Sequence, residues 1–292
     1  MSDLPTLPFT GERFTPECVR EIWYEHWHRY AFARSLAADR RVLDAACGEG
    51  YGGALLADVA ASVDGVDIDP AAIAHARQRY VDRANLRFAC ADVTRLPFAD
   101  RSFDLVVSFE TLEHLAAQEQ LLAEFARVLA TDGTLVLSSP DKHTYSDLTG
   151  VRNEFHVREL YRDELLALVA PHFAYCRLYG QKLLFQSAIW ALDATGNGHE
   201  AHVASGQTTT LQAGLTYPPL YFIVVCSNAP LPAHLPALSL FGDREESVYS
   251  HYNHEIRQNM TAGARIAELE AELERLRSAL APAQHREADD TA

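Results

Sequence analysis

Two acids and three glycines form the first group of residues whose types and spacing could do chemistry. Asp44 stands just ahead of Gly48-Glu-Gly50-Tyr-Gly52, and Asp67 follows about one strand–helix unit later. Glycines at alternate positions let a backbone curl through positive φ and let a ligand approach without meeting a Cβ. A strand that turns sharply into a helix also leaves unpaired N–H groups at the helix start. A carboxylate at the end of that strand, where open parallel sheets bind their ligands, suits an amine or hydroxyl and repels a pyrophosphate. Asp67 is placed to accept hydrogen bonds from ribose hydroxyls. Alone it reads equally well as a solvated turn residue; beside the glycines it points to a nucleoside.

A second group could move a proton. His114 follows Ser108-Phe109-Glu110-Thr-Leu-Glu113, and His156 lies in Asn153-Glu-Phe-His156-Val-Arg158-Glu. Histidine titrates near neutrality and can take a proton from a hydroxyl. Each can also be a structural histidine that holds its loop by hydrogen bonds. No Asp/His cluster shows local metal-ligand spacing, so the expectation is no metal.

The elements that must position these groups alternate between strand and helix. Apolar runs predict strands near 41–46, 62–67, 86–90, 103–108 and 133–139. Periodic stretches predict helices near 51–60, 70–82 and 117–130, with Pro70 suited to a helix start. Such alternation implies a parallel sheet covered by helices on both faces. Loops at the strands' carboxyl ends then carry the chemistry. Upstream, Cys18 to Leu36 has the spacing of an amphipathic helix, with Trp23, Trp27 and Tyr30 among its apolar positions. It caps the sheet or lids a ligand.

Asp44-Ala-Ala-Cys-Gly48-Glu-Gly50-Tyr-Gly52 resembles the D-x-x-x-G-x-G-x-G motif of class I S-adenosylmethionine-dependent methyltransferases. Gly65-Val-Asp67-Ile68-Asp69, Ala91-Asp92-Val93, Phe103 to Ser108 with Leu112-Glu113-His114-Leu115, and Gly133-Thr-Leu-Val-Leu137 resemble that family's later motifs in order. The resemblance covers roughly residues 38–140. It implies an α/β, Rossmann-like, doubly wound and mostly parallel seven-stranded sheet, with 173–180 and 220–227 as an antiparallel edge pair.

For the donor, S-adenosylmethionine with S-adenosylhomocysteine as product, the expected binding residues are Asp44, Cys47, Gly48, Gly50, Gly52, Asp67, Ile68, Asp92, Val93 and Phe109. Asp92 would meet the adenine amino group and Val93 pack on the ring, and Arg29 or Tyr30 would reach the amino-acid carboxylate. The segment around His156 would lie over the acceptor pocket, making His114 and His156 the candidate bases and Glu110, Glu113 and Arg158 the acceptor contacts. The N-terminal region further resembles bacterial methyltransferases linked to sugar and cell-surface polysaccharide synthesis. The leading expectation is therefore O-methylation of a sugar or glycan intermediate.

Other readings stay open: an N- or C-methyltransferase on another small metabolite, or a non-catalytic cofactor-binding scaffold. Gly48, Gly50 and Gly53 also satisfy the G-x-G-x-x-G of NAD-dependent reductases, against which Asp44 and the later motifs argue.

A net charge of −15, part of it from tail acids such as Glu287, Asp289 and Asp290, argues against a nucleic acid partner. Five scattered cysteines without a C-x-x-C pair read as reduced thiols of a cytoplasmic protein. Cys47 has no activating neighbour in sequence and reads as a core thiol. No signal-peptide pattern opens the chain, and no apolar run has membrane-span length. The expected organisation is an N-terminal helical cap (1–37), a donor-binding domain (38–229) with an insert at 181–216 as a possible acceptor lid, a linker (230–260), a short coiled-coil helix (261–281) and a disordered tail (282–292). Ile266, Leu269, Leu273, Leu276 and Leu280 form the seam, which suits a homo-oligomer or a partner protein.

Overall fold

The structure, a computed structural model, describes Thr15 and residues 21–186, 201–205, 208–212 and 214–289. The chain divides into two units, Met1–Phe241 and Gly242–Ala292.

The first unit opens with helix α1 (Glu21–Ala37) and continues with β1 (Arg41–Ala45), α2 (Tyr51–Ala57), β2 (Ser62–Asp67), α3 (Pro70–Arg79), β3 (Leu86–Cys90) and β4 (Phe103–Ser108). A 3-10 turn, Leu112–His114, precedes α4 (Gln118–Val128), β5 (Leu129–Pro140), a π turn (His143–Asp147), α5 (Arg162–Val169) and β6 (Tyr175–Gln181). A small ribbon of β7 (Ala201–Ser205) and β8 (Thr208–Gln212) comes before β9 (Tyr221–Ser227). The main sheet has seven strands in the order β3-β2-β1-β4-β5-β9-β6. Neighbours from β3 through β5 are parallel, and β9 pairs antiparallel with both β5 and β6, giving the expected edge pair.

Strand alternation divides the core between the two faces. Val42, Leu105, Val107, Val136, Ile223 and Val225 pack with Phe32, Leu36, Leu56 and Ile73 of α1 to α3. Leu43, Val106, Leu135, Leu137, Val224 and Cys226 pack with Leu121, Leu122 and Phe125 of α4 and Leu165 of α5. At the start of α3 the Asp69 carboxylate accepts from the Ala71 amide at 2.8 Å, and Pro70 takes the first turn. That cap stops β2 just beyond Asp67 and fixes the acid at the sheet's edge.

The insert expected at 181–216 carries the β7–β8 ribbon, and its residues 187–200 lie outside the described residues. In the second unit, helix α6 runs Ser247–Asp289. It begins inside the stretch expected as linker and continues past Pro282 into the stretch expected as tail. Ile266, Leu269, Leu273 and Leu276 are exposed along it. Among the described residues, no helix is long and apolar enough to cross a membrane.

Candidate active site

The carboxyl ends of β1, β2, β3 and β4 open on a cleft of ≈ 380 Å³. Two sharp bends form its floor and one wall. After β1, Ala46 (φ 61°), Gly48 (φ 56°) and Gly50 (φ 90°) turn the chain through left-handed backbone into α2. After β4, Glu110 takes φ 51°. Non-glycine residues in this region are strained and persist where surrounding contacts fix them. For Glu110 those contacts are on Ser138, whose hydroxyl donates to Glu110 Oε1 at 2.6 Å and accepts from the Glu110 amide at 3.1 Å.

Gly52 is required by packing: a Cβ there would overlap the Tyr30 ring. That ring is held because the Tyr30 hydroxyl donates to Asp44 Oδ1 at 3.0 Å. Asp44 is fully buried at the end of β1. Burial lifts its carboxyl to about 7, with Asp67 adding to the effect and the Tyr30 hydroxyl and Gly53 amide opposing it. Asp67 accepts from the Gly48 amide and from the Asp69 amide, both at 2.9 Å, so the two carboxylate oxygens tie the glycine bend to the α3 cap.

Of the residues expected to hold the donor, Tyr30, Cys47, Gly48, Asp67, Ile68, Asp92, Val93 and Phe109 line the cleft. The Asp92 carboxylate is turned back onto Thr94, accepting from its amide at 2.8 Å and its hydroxyl at 2.7 Å. Gly50 and Gly52 face Phe88 and Tyr30 rather than the opening. Arg29 is placed elsewhere. It is buried behind the cleft, its Nε donating to Gln181 Oε1 at 2.8 Å and its guanidinium 4.3 Å from the Tyr221 ring centre. Its Nη2 stands 3.6 Å from Glu110 Oε1, which joins α1 to the loop after β4. Nearby, burial raises the Glu25 carboxyl to about 7 against the pull of Arg29.

Glu110, Thr111 and His114 form the cleft's far wall, with His26 and Tyr51 also lining it. His26 Nδ1 lies 3.3 Å from the Tyr51 hydroxyl, and burial holds the His26 imidazole well below its ordinary range. His114 Nδ1 lies 3.0 Å from the Phe155 carbonyl, which can only accept, so Nδ1 carries the proton and Nε2 the lone pair. Glu113 is buried behind this wall, and burial with the Glu110 charge beside it pushes its carboxyl well up. His156 lies next to His114, ring centres 5.0 Å apart, but is not among the lining residues. Arg158 is exposed and meets the site through its backbone, its amide donating to the Glu113 carbonyl at 3.0 Å.

Sequence reasoning assigned no role to His26, Tyr51, Thr111, Asn153 or Glu159. His26 and Tyr51 stand 25 residues apart, on α1 and α2, and only the fold brings them together.

A family model described as a methyltransferase domain matches residues 43–137, the span from β1 through β5. A relative from Mycobacterium tuberculosis, described as a probable S-adenosylmethionine-dependent methyltransferase, is 36% identical over 221 residues, 73% of this chain and 76% of its own length. One from Mycolicibacterium smegmatis with the same description is 42% identical over 166 residues; the match covers 56% of this chain and 63% of that protein, under two thirds of it. A malonyl-[acyl-carrier protein] O-methyltransferase from Laribacter hongkongensis is 34% identical over 136 residues, 42% of this chain and 46% of its own length. The glycine bend, the two acids and the sheet order thus occur in a chain alike in sequence over most of its length to such an enzyme, and the chain belongs to the S-adenosylmethionine-dependent methyltransferases.

Proposed function

We propose that the protein methylates a hydroxyl of a small polyhydroxyl acceptor, a sugar or glycan intermediate, at the Glu110–His114 end of the cleft. The residues present fit the donor. Asp67 suits the ribose hydroxyls and Val93 and Phe109 give apolar walls for a base; Asp44, fully buried and not itself a lining residue, suits an amino group that reaches it. When bound, S-adenosylmethionine supplies a methyl group already activated by positive sulfur. What remains for the chain is to align the acceptor, exclude water and receive a proton.

The observation that carries the hydroxyl reading is the state of His114. With Nδ1–H committed to the Phe155 carbonyl, Nε2 is the ring nitrogen that can accept, on a wall that also carries Glu110. An imidazole lone pair in that position binds a hydroxyl proton and takes it as the oxygen gains its new bond. His156 then acts as a positioning residue, held by Glu159 and Asn153.

The malonyl-carrier acceptor of one relative suits this wall less well. The Glu110 carboxylate on this wall repels another carboxylate, and Arg29 is buried against Gln181 and Tyr221. The exposed stripe Ile266, Leu269, Leu273 and Leu276 on α6 reads as a seam for association with a second copy of the chain.

Transfer of label from methyl-labelled donor tests the proposal, using a panel of monosaccharides, sugar nucleotides, primary amines and carrier-bound malonate. Alkali-stable label in a sugar supports it. Label confined to amines, or an alkali-labile ester on malonate, overturns it.

A further inference from the structure

Two segments about forty residues apart close around one point. The Val157 and Arg158 amides both donate to the Glu113 carbonyl, at 2.8 and 3.0 Å, and clamp the 153–158 stretch onto the turn that carries Glu113 and His114. As a result, one ligand atom from each of Glu113, His114 and His156 lies within 4.8 Å of the other two.

The hydrogen bonds around the two imidazoles orient them alike. His114 Nδ1 faces the Phe155 carbonyl at 3.0 Å, and His156 Nδ1 faces Glu159 Oε1 at 2.5 Å. Both acceptors fix the proton on Nδ1 and the lone pair on Nε2. A ring nitrogen tied to a carbonyl or carboxylate leaves the other as the metal-binding atom, the arrangement that supports metal-bound histidine. Glu113 Oε2 is buried and has no hydrogen-bond partner among the described residues. A loop-pinning role for the histidine pair leaves that oxygen without a partner, and such an oxygen is costly to bury. Glu110 and Glu159 add negative charge around the same point.

We infer that Glu113, His114 and His156 form a binding site for a divalent first-row transition cation, whose remaining positions take water or acceptor oxygens. Two imidazoles and one carboxylate favour manganese, iron, cobalt, nickel or zinc over calcium. Asn153 Nδ2 stands 3.0 Å from His156 Nε2 and holds the position the cation would take, so binding displaces one hydrogen bond. The expectation of a metal-free protein rested on spacing along the chain, which does not show residues joined by a clamp of this kind. The inference rests on the hydroxyl acceptor proposed above and moves the role of base from His114 to Glu110. A cation here selects acceptors with two neighbouring oxygens and makes a bound hydroxyl more acidic. His114 is then a ligand, and the hydroxyl proton passes to Glu110 on the same wall.

Cobalt(II) titrated into the chelator-treated full chain, read by visible absorption, tests the site. The expected result is one equivalent bound, with ligand-field bands in the visible. Manganese(II) followed by electron paramagnetic resonance is expected to compete for it. His156→Gln and Glu113→Gln are each expected to weaken cobalt binding more than tenfold, and Glu159→Gln by about tenfold through the lost orienting bond. Circular dichroism and donor affinity serve as fold checks. Absence of bands in the wild-type chain overturns the site, as does equal cobalt affinity in the folded variants. Turnover separates the two readings. Sugar methylation that continues at full rate in chelator removes the cation and leaves His114 as base. Cobalt bound with no sugar methylated keeps the cation and removes the hydroxyl reading.

Discussion

Asp44→Asn should separate what the buried acid costs the fold from what it gives the site. The folded carboxyl titrates near 7, against 3.8 for the ordinary group, with burial the main cause. Because the folded value is raised, the contribution of the neutral acid is fully present below the unfolded value and is lost as pH rises through the folded one. Between the two values the unfolded chain holds fewer protons than the folded chain, so stability falls by about 1.4 kcal/mol per pH unit. Integrated from pH 5 to pH 8, Asp44 alone removes about 3 kcal/mol from the wild-type chain. Asparagine keeps an acceptor for the Tyr30 hydroxyl and has no proton to lose. Any clash of its amide with Gly53 is a constant offset. Urea melts of both proteins at half-unit pH steps give the difference directly. The variant's stability relative to wild type should climb by about 3 kcal/mol over that window, while its affinity for S-adenosylhomocysteine falls between about tenfold and a hundredfold from one lost charge-assisted hydrogen bond. A difference that stays flat with pH would refute the reasoning about burial; unchanged affinity would refute the amino-group role.

Gly52→Ala should force the Tyr30 ring off Asp44 and cost about 2 kcal/mol in a chemical melt; a neutral effect would show that the ring has room. His114→Gln should reduce kcat at saturating donor by between about a hundredfold and ten-thousandfold, with little change in donor affinity. Loss of donor binding instead would assign His114 to the donor side. Leu273→Asp should shift the sedimentation of the full chain to monomer, because the residue sits in the exposed α6 stripe. Identical sedimentation coefficients would contradict the seam.

The sheet was legible in the sequence because parallel buried strands are written as short apolar runs. β2, β3 and β4 occupy the stretches 62–67, 86–90 and 103–108 read from that pattern. The start of α3 was legible too, since Pro70 after a capping Asp69 carries its meaning locally. The β7–β8 ribbon was not: its pairing is local, Ser205 with Thr208, but its strands are short and Thr208-Thr209-Thr210 offers no apolar run. α6 was underestimated because the apolar repeat ends before the helix does.

At the site, Asp44, Asp67 and the glycine bend could be read from the local strand-to-helix turn. Arg29 could not: its charge suggested a ligand contact, whereas Gln181 and Tyr221, far along the chain, hold it behind the cleft. The pairing of His114 with His156 was hidden for the same reason. Each histidine was visible as a candidate, but the backbone clamp that brings them together is tertiary.

The most direct measurement is isothermal titration of S-adenosylhomocysteine into the full chain and into Asp67→Ala, with matched thermal melts. The account predicts one site of micromolar affinity in the wild-type chain, weakened at least tenfold in the variant through lost bonds to the ribose; the variant also melts lower, because the Gly48 and Asp69 amides lose their acceptor, and is folded at the assay temperature. No heat from the wild-type chain, or equal affinity in the two proteins, would contradict it.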